Sequence, residues 1–148
     1  MSGSAFAVVL SLIAGLAGAA QVAINGAFGD RIGVLEATAF NSFVAAILIG
    51  VVVLLAGGGV GGVVSGFREP AWLWVGGIAG AFIVTTITFA GPRIGSLATI
   101  ALLIAGQLVM GVVIDAYGLF GVDKIPFVWT RLVGIALLAG GALLVLKR

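Results

Sequence analysis

Cysteine and histidine are both absent from the 148 residues. Their absence excludes disulfides, thiol nucleophiles, zinc–thiolate centres and imidazole proton switches. Charge is almost as scarce. Seven Lys and Arg with five Asp and Glu make up 8% of the chain, against about 25% in a soluble domain. No carboxylates cluster along the sequence, so no catalytic constellation or metal site is visible, and neither an enzyme nor a cofactor is expected. The net charge of +2 comes from isolated residues rather than a basic patch, which argues against nucleic acid as a partner. What is abundant is apolar: 62% of residues are hydrophobic and mean hydropathy is +1.36. Such a chain cannot cover a water-facing surface. The lipid bilayer is its expected solvent.

Apolar runs bounded by charge and turn residues predict five spans, at about residues 5–27, 35–56, 71–90, 96–117 and 130–146. Each can cross about 30 Å of hydrocarbon at about 1.5 Å per residue. Apolar residues occupy every helix face, whereas a barrel strand would alternate. The predicted class is therefore an all-α integral membrane protein, a single five-helix bundle over residues 1–148. Small residues end the first span (Ala17 to Ala20), but no basic residue precedes Arg31. A cleaved signal peptide is therefore not expected. The predicted connections are short: Phe28–Val34, Gly57–Pro70, Gly91–Gly95 and Gly118–Trp129. Gly57, Gly59 and Gly62 match GxGxxG, yet no strand precedes them, and a flexible linker is the expected reading.

Basic residues divide almost evenly between the two sides. Arg68, Lys124 and Arg131 fall on one side, and Arg31, Arg93, Lys147 and Arg148 on the other. Orientation by the positive-inside rule needs an asymmetry that three against four hardly supplies. Either the chain inserts both ways and works as an antiparallel pair, or a weak bias or a partner sets one orientation.

Polar groups inside spans are candidates for function because lipid offers them no partners. Gln107, Gly111 and Asp115 lie four apart, on one face of the fourth span. Asp115 either lines a polar cavity or sits at the interface beside Tyr117. Gln21 and Asn25 share a face of the first span, as packing glue between helices or as contacts to a polar solute. In the second span, Glu36 suits a helix N-terminus, and Thr38, Asn41, Ser42 and Ala45 make a small, polar face. Thr85, Thr86 and Thr88 of the third span can bond their own backbone. Trp74 is either an interface anchor or an aromatic wall for a solute. Gly76 with Gly80, and Ala136 with Gly140, have the spacing that lets helices approach closely.

Longer stretches carry a resemblance. Gly91-Pro92-Arg93-Ile94-Gly95, Ala105-Gly106-Gln107 and Asp115-Ala116-Tyr117-Gly118-Leu119-Phe120-Gly121 resemble the YdcZ-like family of the drug/metabolite transporter superfamily. That superfamily also holds the small multidrug resistance and EamA-type transporters. Gln21 with Asn25, Ser42-Phe43, Trp74 with Gly76, Gly77 and Gly80, and Arg131-Leu132 with Gly134 extend the likeness over nearly the whole chain. The chain departs from the pattern at Val22, where many relatives have proline, and at Glu36 and Asn41, which have no counterpart. The first span also lacks the carboxylate with which small multidrug resistance proteins couple protons, so that mechanism is not carried over.

The resemblance implies half of a ten-helix inverted-repeat transporter in the inner (plasma) membrane. Two copies would form an antiparallel homodimer and move a small organic solute by alternating access. On that reading Gln21, Asn25, Ser42, Trp74, Thr85 and Gln107 line the solute site, and Asp115 couples transport to an ion. A small dual-topology ion channel and a non-transporting accessory subunit are the alternatives.

Overall fold

The structure, a computed structural model, describes residues 3–126 and 128–146. Its elements are α1 (Gly3–Ile32), α2 (Val34–Leu55), α3 (Val60–Ser65), α4 (Val75–Ile94), α5 (Ser96–Tyr117) and α6 (Trp129–Leu146). Short 3-10 turns follow α3, precede α4 and follow α5. Among the described residues there is no strand. Four stretches, Gly3–Ile32, Val34–Leu55, Ala71–Ile94 and Ser96–Tyr117, are long and apolar enough to cross a membrane, and α6 is a shorter apolar helix.

The first and third connections are far shorter than their polar composition suggests. Only Gly33 separates α1 from α2, and only Gly95 separates α4 from α5. Asp30, Arg31 and Arg93 stay helical because long or interfacial charged side chains can reach the water layer without breaking the backbone ladder. Pro92 also lies inside the last turn of α4, where the lost N–H matters least to the rest of the helix. Gly33 (φ 104, ψ 147) and Gly95 (φ 87, ψ 151) adopt the same conformation, in a region essentially reserved for glycine. The two joints also share sequence. Gly29-x-Arg31-Ile32-Gly33-x-Leu35 is repeated as Gly91-x-Arg93-Ile94-Gly95-x-Leu97.

The glycine-rich linker is partly ordered. Val60–Ser65 forms a short helix, and the Trp74 indole donates from Nε1 to the Gly66 carbonyl at 3.1 Å. Phe67 meets the Trp74 ring edge-to-face at 5.8 Å.

The chain divides into two compact units. One, Ala23–Pro92, contains the part of α1 that follows Val22, all of α2 and α3, and nearly all of α4. Its interior is made of small and hydroxylated residues: Asn25, Ala37, Thr38, Ile87 and Thr88 are buried. Thr38 and Thr88 donate their hydroxyls to the Val34 and Val84 carbonyls at 2.8 and 2.7 Å, which removes the cost of burying them. The other unit combines α1 up to Val22 with α5 and α6, and in it α6 packs along α5.

Candidate functional site

Asn25 and Asn41 meet inside the first unit. Each is eight residues from Gly33, one before it and one after, so the α1–α2 hairpin brings them to the same depth. Eight residues correspond to about 12 Å from the hinge, close to the middle of a hydrocarbon layer about 30 Å thick. Asn41 Nδ2 donates to Asn25 Oδ1 at 2.9 Å. Asn25 is 4% exposed, and its own Nδ2 has no hydrogen-bond partner among the described residues. The Phe28 and Phe40 rings, 5.5 Å apart edge-to-face, pack between the pair and the hinge.

Glycine brings α4 against the helix that carries Asn25. A Cβ at Gly26 would lie 2.9 Å from Pro92 Cδ, and one at Gly29 would lie 2.7 Å from Thr88 Cγ2. These distances leave no room for a methyl group, so both contacts require glycine. Thr88, Pro92 and the α1 glycines therefore act as a rigid support one residue from Asn25.

The second unit holds a separate polar cluster. Arg131 Nη1 donates to Asp115 Oδ2 at 3.0 Å, and the two side chains are each 35% exposed. They sit near the adjoining ends of α5 and α6, equally far from the centre of the loop that joins those helices. Backbone bonding closes the same end: the Ile125 N–H donates to the Asp115 carbonyl at 3.0 Å. An open cavity of about 320 Å³ runs from this ion pair along Gly111 and Gly134 to Gln107 and Leu138.

The other residues singled out from sequence are dispersed. Gln21 and Ser42 are exposed, as is Gln107 apart from its place in the groove. Thr85 is half-buried and donates to the Ala81 carbonyl of its own helix at 2.8 Å. Trp74 is engaged with Gly66 and Phe67 at the opposite end of α4 from Thr88. Two residues in these clusters do not stand out in the sequence. Asn41 reads there only as part of a polar face, and Arg131 as a basic residue of a loop. Both have a legible signal, which is equal distance from the turn as a polar residue on the preceding helix.

A family model described as "Putative inner membrane exporter, YdcZ" matches residues 6–144. Neither curated proteins nor solved structures yield a match to the chain.

Proposed function

The chain belongs to the YdcZ family of inner-membrane exporters, and from that premise we propose that it carries a small, polar, uncharged or zwitterionic organic solute by alternating access. The working unit is an antiparallel homodimer of two five-span protomers, with α6 as the fifth span. Solute contacts the Asn25–Asn41 pair near mid-membrane, and Gln21, Ser42, Thr85 and Gln107 supply further polar lining. Trp74, held by Gly66, is an outer aromatic wall.

The observation that carries this reading is the unpartnered Nδ2 of Asn25. Leaving a buried donor unpaired costs about 1–3 kcal/mol, and lipid holds no water to relieve it. A conformation with that deficit is disfavoured against one in which the donor reaches water or a solute, as a transport cycle requires. The amides carry no charge, so they suit a solute with carbonyl or carboxylate acceptors better than a lone organic cation. Gln21 supports the dimer. It lies twelve residues from the Gly33 hinge, about 18 Å along its helix, and is exposed on the single chain. An amide at that depth needs a protein partner rather than lipid.

Two measurements test the proposal. Cysteine placed at the exposed Asp30, on a background without other cysteines, should react with an impermeant reagent in comparable fractions from both sides of the membrane. Labelling from one side only would remove the antiparallel homodimer. Proteoliposomes loaded with a mixed pool of polar metabolites should lose particular solutes faster than Asn25→Ala vesicles do, with saturation and counterflow. Equal loss from both would remove Asn25 from the pathway, and non-saturating flux would make the protein a channel.

A further inference from the structure

The glycines of α5 and α6 behave unlike Gly26 and Gly29 of α1. A Cβ at Gly111, Gly134 or Gly141 would meet nothing within 4 Å. Glycine in a membrane helix ordinarily serves close helix approach, yet here it widens a gap instead. The cavity beside Gly111 and Gly134 shares Leu138 with a second open cavity of about 310 Å³ that continues past Ile104, Gly141 and Leu97. The joined groove is charged at one end only. Asp115 and Arg131 stand at that end, flanked by the exposed rings of Tyr117 and Trp129, as residues at the headgroup level commonly are. Beyond Gln107 the lining is wholly apolar.

We infer that this groove seats a phospholipid with a zwitterionic headgroup, its phosphate on Arg131 and its ammonium on Asp115. The ion pair uses one guanidinium nitrogen and one carboxylate oxygen, which leaves Oδ1 of Asp115 and the other guanidinium donors for a ligand. Their opposite charges complement a headgroup that carries both signs, whereas a purely anionic headgroup would meet the Asp115 carboxylate. From Asp115 to Leu97 is eighteen residues of α5, about 27 Å. A leaflet's chains need only about half of the 30 Å core. The groove therefore has the charge pattern for such a headgroup and more than enough length for its chains, and its charged end uses neither Asn25 nor Asn41.

Native mass spectrometry of the full chain, released from vesicles of equimolar POPE and POPG, tests this. The wild-type protein should retain POPE in preference to POPG. Arg131→Gln should lower POPE retention about tenfold, the loss of charge-assisted hydrogen bonds. Gly134→Leu directs its side chain from a position where a Cβ meets nothing within 4 Å, on the wall of the cavity, and keeps the ion pair, so it should fold normally, which circular dichroism checks, and still lose the lipid. Three results would each overturn the inference: no headgroup preference in the wild type; unchanged retention in folded Gly134→Leu; or a change in oligomer mass in Gly134→Leu without lipid loss, which would give the groove to a second copy. Displacement of POPE by free phosphoethanolamine at equal concentration would also overturn it, by making the groove a small-solute site.

Discussion

Replacing Gly29 by alanine tests how α1 is seated on α4. The new Cβ would lie 2.7 Å from Thr88 Cγ2, with the Val34 Cα and the Thr88 carbonyl oxygen next at 3.6 and 3.7 Å. Carbon atoms rest comfortably at about 3.5–4.0 Å, so one contact alone falls short, by about 1 Å. Thr88 is fully buried and its hydroxyl is committed to the Val84 carbonyl, which prevents easy rotation. Overpacking of this kind costs about 1–3 kcal/mol. Thr88→Ser removes the obstructing methyl and keeps the hydroxyl bond, at about 0.5–1.5 kcal/mol for the lost buried methyl. Combined, the two changes move one methyl across the contact, and all remaining neighbours of the new Cβ then stand at ordinary distance.

The double variant should accordingly be closer to wild type than Gly29→Ala alone, with a coupling of about 1–2 kcal/mol. Reversible unfolding by SDS titration in bicelles measures all four corners of the cycle. Additive losses would refute the contact between Gly29 and Thr88, and with it the support given to Asn25. A neutral Gly29→Ala would do the same.

Other substitutions have definite outcomes. Asn41→Ala leaves both ends of the buried Asn25 amide unpaired and should destabilise the protein by about 1–2 kcal/mol; converting Asn25 and Asn41 together to Leu should recover stability in the same titration while export stays lost. Gly33→Ala requires φ 104 of a residue with a Cβ that runs into the Glu36 carboxylate, and should lower stability by about 1–3 kcal/mol, whereas Gly77→Ala, whose Cβ meets nothing within 4 Å, should change it by less than about 1 kcal/mol. Asp115→Asn should abolish the pH dependence of export in proteoliposomes while leaving assembly intact, as the ion-coupling role of this carboxylate requires; an unchanged pH profile would remove Asp115 from that role.

The helices are legible because lipid imposes one demand on every span, an unbroken apolar helix, and composition reports it directly. The joints are harder. Asp30, Arg31 and Pro92 look like loop residues by type, yet at an interface a helix can carry them through its last turn. The repeated Arg-Ile-Gly-x-Leu motif marks both single-glycine joints and is the signal that locates them. The Asn25–Asn41 and Asp115–Arg131 pairs follow from equal spacing about a turn, once the turn is placed. What no spacing rule reveals is that Asn25 Nδ2 is left without a partner. That depends on every side chain around it.

Composition also cannot distinguish the two uses of glycine, and the difference bears on what moves. Apolar faces gain nothing by leaving lipid for one another, so helices in a bilayer are held by close packing and polar contacts. In the Ala23–Pro92 unit, the missing side chains of Gly26 and Gly29 admit Pro92 and Thr88 to direct contact. That contact fixes α1 against α4 and gives Asn25 a rigid mount. Along α5 and α6 a Cβ added at any glycine would meet nothing within 4 Å, and a half-exposed ion pair at one end gives those helices a polar hold. Such a pair contributes little when water reaches it. The position of α6 along the rest of its length then rests on its apolar packing against α5 and on what fills the groove. Filling it covalently with Gly134→Leu should therefore stabilise α6 against proteolysis in lipid-poor detergent, where the wild-type helix has lost its occupant. Equal protease sensitivity of the two proteins in that detergent would show that the ion pair and the α5 contacts hold α6 without any occupant at all.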